Sequence, residues 1–304
     1  LVQLNGQNED LKNKQSIARN KVKNQISWDY KYIGEKPDKN GVKTSVTTYA
    51  TTGDVVQVNA LNPAGTVIHT EKYSYDSRGN KTEYTRNSGD GSYQKKYVYN
   101  DQNLLIEESG FDGVENFKNL YSYNAKGVMT EIRYMKGSVV QEKRVFTKDG
   151  VTTNVSVYNK TGTVTSKLVL IYDSRGNLIE ESVFGMSPDP VEKKTYNYDD
   201  RKNLKEEARY KLNQMTVRNT YSYGPSGDLI EVTEESPGNS RFVKKTMSYD
   251  TKGNLLEIKW RRNAKEDFNR ITYQYDEKGL CTTLDTFYPA TKYRVLTRYT
   301  YEYY

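Results

Sequence analysis

The chain carries one cysteine, Cys281, and one histidine, His69, among 304 residues. A single cysteine excludes an intrachain disulfide and any metal site built from several thiolates. A single histidine means that a Ser-His-Asp arrangement would have to use His69. That residue lies in Val67-Ile-His-Thr70, which reads as mid-strand, with no Gly-x-Ser-x-Gly turn around it. No apolar run reaches the roughly 18 residues that a spanning helix needs, and no signal peptide is visible at Leu1. Apolar residues make up only 35% of the chain, against about 45–50% in ordinary domains, so a thick aliphatic core is not expected.

What the chain has instead is 28 tyrosines together with abundant threonine and valine. Disordered chains are poor in aromatic and β-branched residues, so this composition points to strands. Tyrosine suits a thin sheet, because the ring buries apolar area while the hydroxyl stays wet. The net charge of +7 arises from 46 basic and 39 acidic residues, interleaved along the chain. Pairs such as Lys95-Lys96, Lys193-Lys194 and Lys244-Lys245 recur before Tyr-rich strands and belong to a repeat. They form no segregated basic face of the kind that nucleic acid selects.

Self-comparison shows that repeat. A turn of the form Tyr-Asp-x-x-Gly returns at Tyr49, Tyr75, Tyr99, Tyr123, Phe146, Tyr172, Tyr198, Tyr223, Tyr249 and Tyr275, in exact or degenerate form, at separations of 23 to 26 residues. Glycine follows four residues after this anchor in eight of ten units, and Glu eight residues after it in seven. Asp can cap a type I turn and Gly can take the left-handed conformation after it, which makes a hairpin with a G1 bulge. In that hairpin Tyr75 is expected opposite Lys81 and Tyr73 opposite Glu83. The Tyr-x-Tyr pair would then share a face with the sixth and eighth residues after the anchor, the sixth being usually apolar (Val55, Leu105, Met129, Leu178, Leu204, Leu229, Leu255). The ninth position is mixed: Val58, Ile132, Val155 and Val232, but Glu108, Glu181 and Glu207 elsewhere. A second, looser turn half-way through each unit, such as Asn87–Gly91 or Ser236–Asn239, makes two strands per unit.

The expected fold is all-β: tandem two-strand units in an elongated, twisted antiparallel meander, with a spiral β-shell as the alternative. Residues 25–304 form one repeat domain of about ten units. Residues 1–24 do not conform and read as a frayed tail or a short helical cap.

The forms Tyr-Asp-Ser-Arg-Gly-Asn at 75–80 and 172–177, and Tyr-Asp-Thr-Lys-Gly-Asn at 249–254, resemble the RHS/YD-repeat family. The resemblance runs from about Tyr49 to the C-terminus. It implies an all-β array, exported or at the cell surface, in bacterial proteins that handle carbohydrate or build shells around toxin cargo. The chain ends in repeat at Tyr301-Glu-Tyr-Tyr304, with neither a toxin domain nor a self-cleaving core, so a stand-alone surface or periplasmic protein is expected.

Catalysis is not expected. Adjacent acids such as Glu180-Glu181 and Glu206-Glu207 point to opposite faces of a strand and cannot flank one bond. Glu eight residues after the anchor reads as a cross-strand partner for a Tyr hydroxyl or Lys. Asp76, Asp173, Asp250 and Asp276 come one per turn and read as caps rather than metal ligands, Cys281 reads as a small buried hydrophobe, and no cofactor motif is present. The aromatics set two residues before their anchors, Tyr73, Tyr97, Tyr121, Tyr196, Tyr221 and Tyr273, are candidate ligand contacts, as are the singular Trp28 and Trp260. The expected function is that of a non-catalytic exported module whose aromatic sheet face binds polysaccharide or a protein partner, with a ligand-free spacer or shell fragment as the alternative. Self-association through free strand edges would follow from an open sheet.

Overall fold

The computed structural model describes residues 4–185 and 187–304, with side chains from Leu11 onward. The repeat turn forms as its chemistry requires. The Asp76 amide donates to the carbonyl of Asn80 and the Gly79 amide to that of Asp76, with Gly79 at φ +82°. Asp76 Oδ1 accepts the backbone N–H groups of Arg78 and Asn80, each at 2.9 Å, and Oδ2 accepts the Asn80 side-chain amide at 2.9 Å. Asp173 and Asp250 repeat this pattern. Where the anchor turn has Asn, at Asn124, and in the mid-unit turns at Asn62 and Asn159, the Asn Oδ1 accepts the two equivalent amides. Where the Gly is missing, Asn103 and Lys202 adopt φ +63° and +66°, a conformation with a steric cost that the turn imposes on them.

The register corrects one expectation. Tyr75 does face Lys81, but Tyr73 faces Tyr84 rather than Glu83, because a bulge places Thr82 outside the pairing. The same shift recurs at Tyr99, Tyr123, Tyr172, Tyr198, Tyr249 and Tyr275. Past a one-residue bulge the side chains change face. The ninth residue after the anchor therefore shares the tyrosine face, and the Glu at the eighth lies on the opposite face.

The chain divides into two compact units, one comprising residues up to Ser92 with Tyr223–Glu231 and Val243–Tyr304, the other Tyr93–Ser222 with Val232–Phe242. In the second unit antiparallel pairing runs without interruption from the strand Gly91–Tyr99 to the strand Gln214–Tyr223. In the first unit it runs from Asn239–Tyr249 through Leu255–Trp260, Asn269–Tyr275, Cys281–Tyr288 and Tyr293–Tyr303 to Val22–Ile33, and on through Val42–Tyr49, Val55–Leu61 and Val67–Tyr75 to Lys81–Ser88. The last strand thus pairs with the first, from Val22↔Tyr303 to Lys31↔Val295. This corrects the expected open meander and its spiral alternative. The fold is all-β and antiparallel, but the sheet closes where the first and last described strands meet, so neither of these strands is left as an edge.

A side-chain relay crosses this seam. Thr48 donates to Asn24 Oδ1 at 2.8 Å and Asn24 to Glu302 at 2.7 Å. Beside it, Tyr49 donates to Gln25 Oε1 at 2.8 Å and Gln25 Nε2 to the Tyr301 hydroxyl at 3.1 Å.

Within residues 1–24 lies a helix, α1, Leu4–Arg19; residues 1–3 are outside the described residues. It rests on the turn ends of the first unit. Ile17 is buried with Val22, Tyr49 and Leu280, and Val55 and Tyr301 pack against them. Leu280 occupies the position that other units give to Asn80, Asn177 or Asn254, and here its side chain enters the helix contact. Gly53, at φ +82°, sits against the helix so closely that a Cβ would fall 2.2 Å from the carbonyl oxygen of Lys14.

Candidate functional site

The anchor tyrosines perform a repeated structural task. The hydroxyl of Tyr75 donates to the carbonyl of Val55, Tyr123 to Leu105, Tyr198 to Leu178, Tyr249 to Leu229, Tyr275 to Leu255 and Tyr301 to Cys281, at 2.6 to 3.1 Å. Each acceptor is the sixth residue after the preceding anchor, so each bond ties one unit to the one before it. Burial of these rings raises the pKa of the hydroxyls.

The tyrosines two residues earlier meet the acids brought to their face by the bulge. Glu108 accepts from Lys95 at 2.7 Å, Asn119 at 3.2 Å and Tyr121 at 3.2 Å. Glu181 accepts from Lys194 and Tyr196, each at 3.3 Å. Glu207, only 6% exposed, accepts from Arg209 at 2.6 Å and Tyr221 at 3.2 Å. Burial opposes the charge of Glu108, but its donors, Lys95 first, outweigh that and hold the carboxyl below its usual range. Burial, reinforced by Glu108, pushes Tyr121 up to about 12. Tyr97 lies opposite Glu108 and Tyr273 opposite Leu284 in register. Tyr73 bonds Glu71, which also meets His69 at 3.1 Å, and its ring lies 5.1 Å from that of Tyr84. None of these six tyrosines is exposed, and Tyr196 is buried. The Glu eight residues after the anchor pairs with Lys or Arg on the other face, as Glu107 does with Lys118 and Glu131 with Arg133; in this register it does not face the Tyr ladder. Cys281 is pushed up to about 11 by burial, which disfavours the nucleophilic thiolate.

Trp28 belongs to a different arrangement. Trp28, Tyr30 and Tyr32 alternate along the first strand, so they project to one face at a pitch of about 6.8 Å. The last strand supplies guanidinium groups to the same face. Arg298 is paired with Trp28 in register and lies over the Tyr30 ring at 4.7 Å, and Arg294 lies over the Tyr32 ring at 4.1 Å. Arg294 is oriented by Asp285, which accepts its Nε at 3.0 Å and its Nη2 at 2.5 Å, and the Tyr32 hydroxyl donates to the same carboxylate at 3.0 Å. The Tyr30 ring fills the space beside Gly41, where a Cβ would lie 2.4 Å from the ring. The result is an ordered strip of three half-buried rings and two cations, with Arg298 exposed.

Trp260 sits on the tyrosine face near the loop end of its strand. It meets Tyr288 edge-on at 5.9 Å, and Tyr288 is 6.2 Å from Tyr293. Sequence reasoning named Trp28 and Trp260 but missed their partners. The alternation Trp-x-Tyr-x-Tyr at 28–32 was a readable signal; Arg294 and Arg298, brought beside it by closure, were not.

No family model and no curated protein matches the chain. Solved structures similar to it include the Photorhabdus luminescens Tc holotoxin pore in a TccC3 mutant form, at 13% identity and TM-score 0.36 over 87% of this chain. A TcdB2-TccC3 crystal structure is 13% identical with TM-score 0.29 over 91% of this chain. A porin-like protein from Bacteroides uniformis is 12% identical with TM-score 0.33, over 92% of this chain and 98% of that one. The chain spans 18% and 20% of the two toxin chains. Likenesses of this order carry no argument about activity.

Proposed function

We propose that the chain is a non-catalytic, exported, bacterial-type repeat module of the YD kind that binds polysaccharide along the Trp28–Tyr30–Tyr32 strip. The observation supporting this reading is the combination on one face of flat rings at regular pitch with two guanidinium groups held against them. The Trp28 ring offers its face to the CH surface of a sugar, and the guanidiniums seated over Tyr30 and Tyr32 hydrogen-bond its hydroxyls or carboxylates at the rim. The ladder tyrosines Tyr73, Tyr121, Tyr196 and Tyr221 are poorer candidates, since their hydroxyls are bonded to Glu.

An aqueous rather than lipid setting is supported by the charges at mid-strand on both faces. Glu108, Glu181 and Glu207 lie on the tyrosine face, and Glu107, Glu180 and Glu206 on the other. A membrane barrel presents an apolar band to lipid, where Arg or Lys at the midplane costs up to roughly 2–4 kcal/mol and Glu costs less but is still unfavourable. No helix is long and apolar enough to cross a membrane among the described residues.

The test is a glycan array at low and high salt with the unaltered chain and with Trp28→Ala and Arg298→Ala. Salt-resistant binding to a defined glycan that Trp28→Ala abolishes is the expected result. A blank array, or binding only to anionic glycans that salt removes and Trp28→Ala leaves intact, would overturn it and leave a protein partner in front.

A further inference from the structure

The pairing of the first strand with the last differs from its neighbours in one respect. The units are closed by short turns, such as Asp76–Asn80, whereas the seam partners Val22–Ile33 and Tyr293–Tyr303 are the two ends of the ordered sheet, linked only through the whole array between them. Nothing in the backbone obliges the last strand to choose the first strand of its own molecule. A second copy offers the same nine paired residues in the same register. Antiparallel pairing that can be satisfied identically in cis and in trans is the condition for strand exchange between protomers.

The helix α1 lies over this point. Its side chains grip turns on both sides of the seam. On one side, Ser16 donates to the carbonyl of Gly279 at 3.4 Å, Asn20 to that of Lys278 at 3.3 Å and Lys12 to that of Gly253 at 3.4 Å. On the other, Lys14 pairs with Asp54 at 2.5 Å. Ile17 is buried among residues from both sides: Tyr49 from the first repeat turn and Leu280 from the last. The chain leaving the helix continues the seam directly, with the Tyr304 amide donating to the carbonyl of Lys21 at 3.0 Å. Two positions of the repeat make this possible. Leu280 is apolar where six of the ten units carry Asn or Asp, and Gly53, the usual turn glycine, leaves room for the helix backbone.

We infer that α1 is a clasp that holds the seam closed within one molecule, and that the partner admitted when it is released is a second copy of this chain, joined first strand to last strand. The clasp adds contacts on both sides that must break before the seam can open, so it lowers the population of open chains able to pair with another copy. Without it, the exposed seam strands are edges that pair with whichever copy is present.

The experiment uses the full chain with Cys281→Ser and a cysteine pair across the seam, Ile26→Cys with Thr300→Cys, which face each other in register. Oxidation should cross-link each molecule to itself and leave its mass that of a monomer. Leu280→Asn, which restores the polar residue of other units, is then added, and differently tagged copies are mixed before oxidation. Cross-links between the two tags, with a dimer by light scattering whose share rises with concentration, are expected. A deletion of residues 4–19 is the stronger form of the same test. Cross-links that stay within one molecule in both variants would overturn the inference, as would cross-links between copies of the clasped chain.

Discussion

The hydroxyl of Tyr198 lies 2.9 Å from the carbonyl oxygen of Leu178, one repeat earlier. Because that carbonyl is shielded by the ring that bonds it, removing the hydroxyl leaves an acceptor without its partner, which costs about 1–3 kcal/mol. Tyr198→Phe should lower stability by that amount in a urea titration, and Tyr249→Phe, which breaks the same bond to Leu229, should match it. Tyr97→Phe, whose tyrosine is not an anchor, should cost less.

Much of this was readable in advance, and the unread part has a physical reason. The Asp-x-x-Gly turn, the pairing of Tyr75 with Lys81 and the two-strand unit all follow from local chemistry. The bulge at Thr82 was implied by the same turn, but its effect on every later side chain, moving Glu207 to the tyrosine face and Glu206 away, requires counting through the turn. Closure was not readable. A period repeated along the chain specifies neighbours in sequence and is silent about Val22 and Tyr303. The site beside Trp28 was half hidden for the same reason, since Arg294 and Arg298 reach it only through the seam. Leu280 is apolar at its position, as Leu104, Val128 and Val151 are at theirs, so nothing in the sequence marked it out as the residue that meets Ile17.

The turn carboxylates predict an acid response. Asp76 is held below the usual carboxylate range by hydrogen bonds from Asn80, first through its side chain and then its backbone, and Asp173 likewise by Asn177. A folded pKa below the unfolded one gives a contribution that is complete above the unfolded value, about 3.9, and is lost as pH falls through the folded value. Asn serves the same turn at Asn124, and an equivalent mid-unit turn at Asn62, without titrating. Asp76→Asn with Asp173→Asn should therefore flatten the fall of thermal stability below about pH 4. At pH 7 only the bonds to Asn80 and Asn177 side chains are lost. An unchanged acid slope would count against the capping role.

Alkali should act in the opposite sense. Burial pushes Tyr49 and Tyr299 up to about 12, above the ordinary tyrosine value of about 10. The folded state favours the protonated phenol, so this contribution is complete below about pH 10 and is lost as pH rises towards 12. Absorbance of tyrosinate during base titration should show a late-titrating group of residues, whose ionisation coincides with loss of the β-sheet circular dichroism signal.

Gly53→Ala tests the contact under α1. The methyl group would meet the Lys14 carbonyl at 2.2 Å in a backbone conformation that already costs alanine roughly 1 kcal/mol. The variant should lose more than that in stability. Gly79→Ala, at the same φ of +82° with open space around it, should lose the backbone cost alone, as the difference between two thermal melts.

The two kinds of pairing in this sheet also impose an order on assembly. A unit needs only itself and the unit before it, so hairpins can form and stack while later residues are still being made, at the speed that local contacts allow. The seam must wait for Tyr293–Tyr303, made long after its partner strand. Until then Val22–Ile33, paired on one side with Val42–Tyr49, keeps its other side open, and that interval is when the nascent chain is most open to pairing with a neighbour.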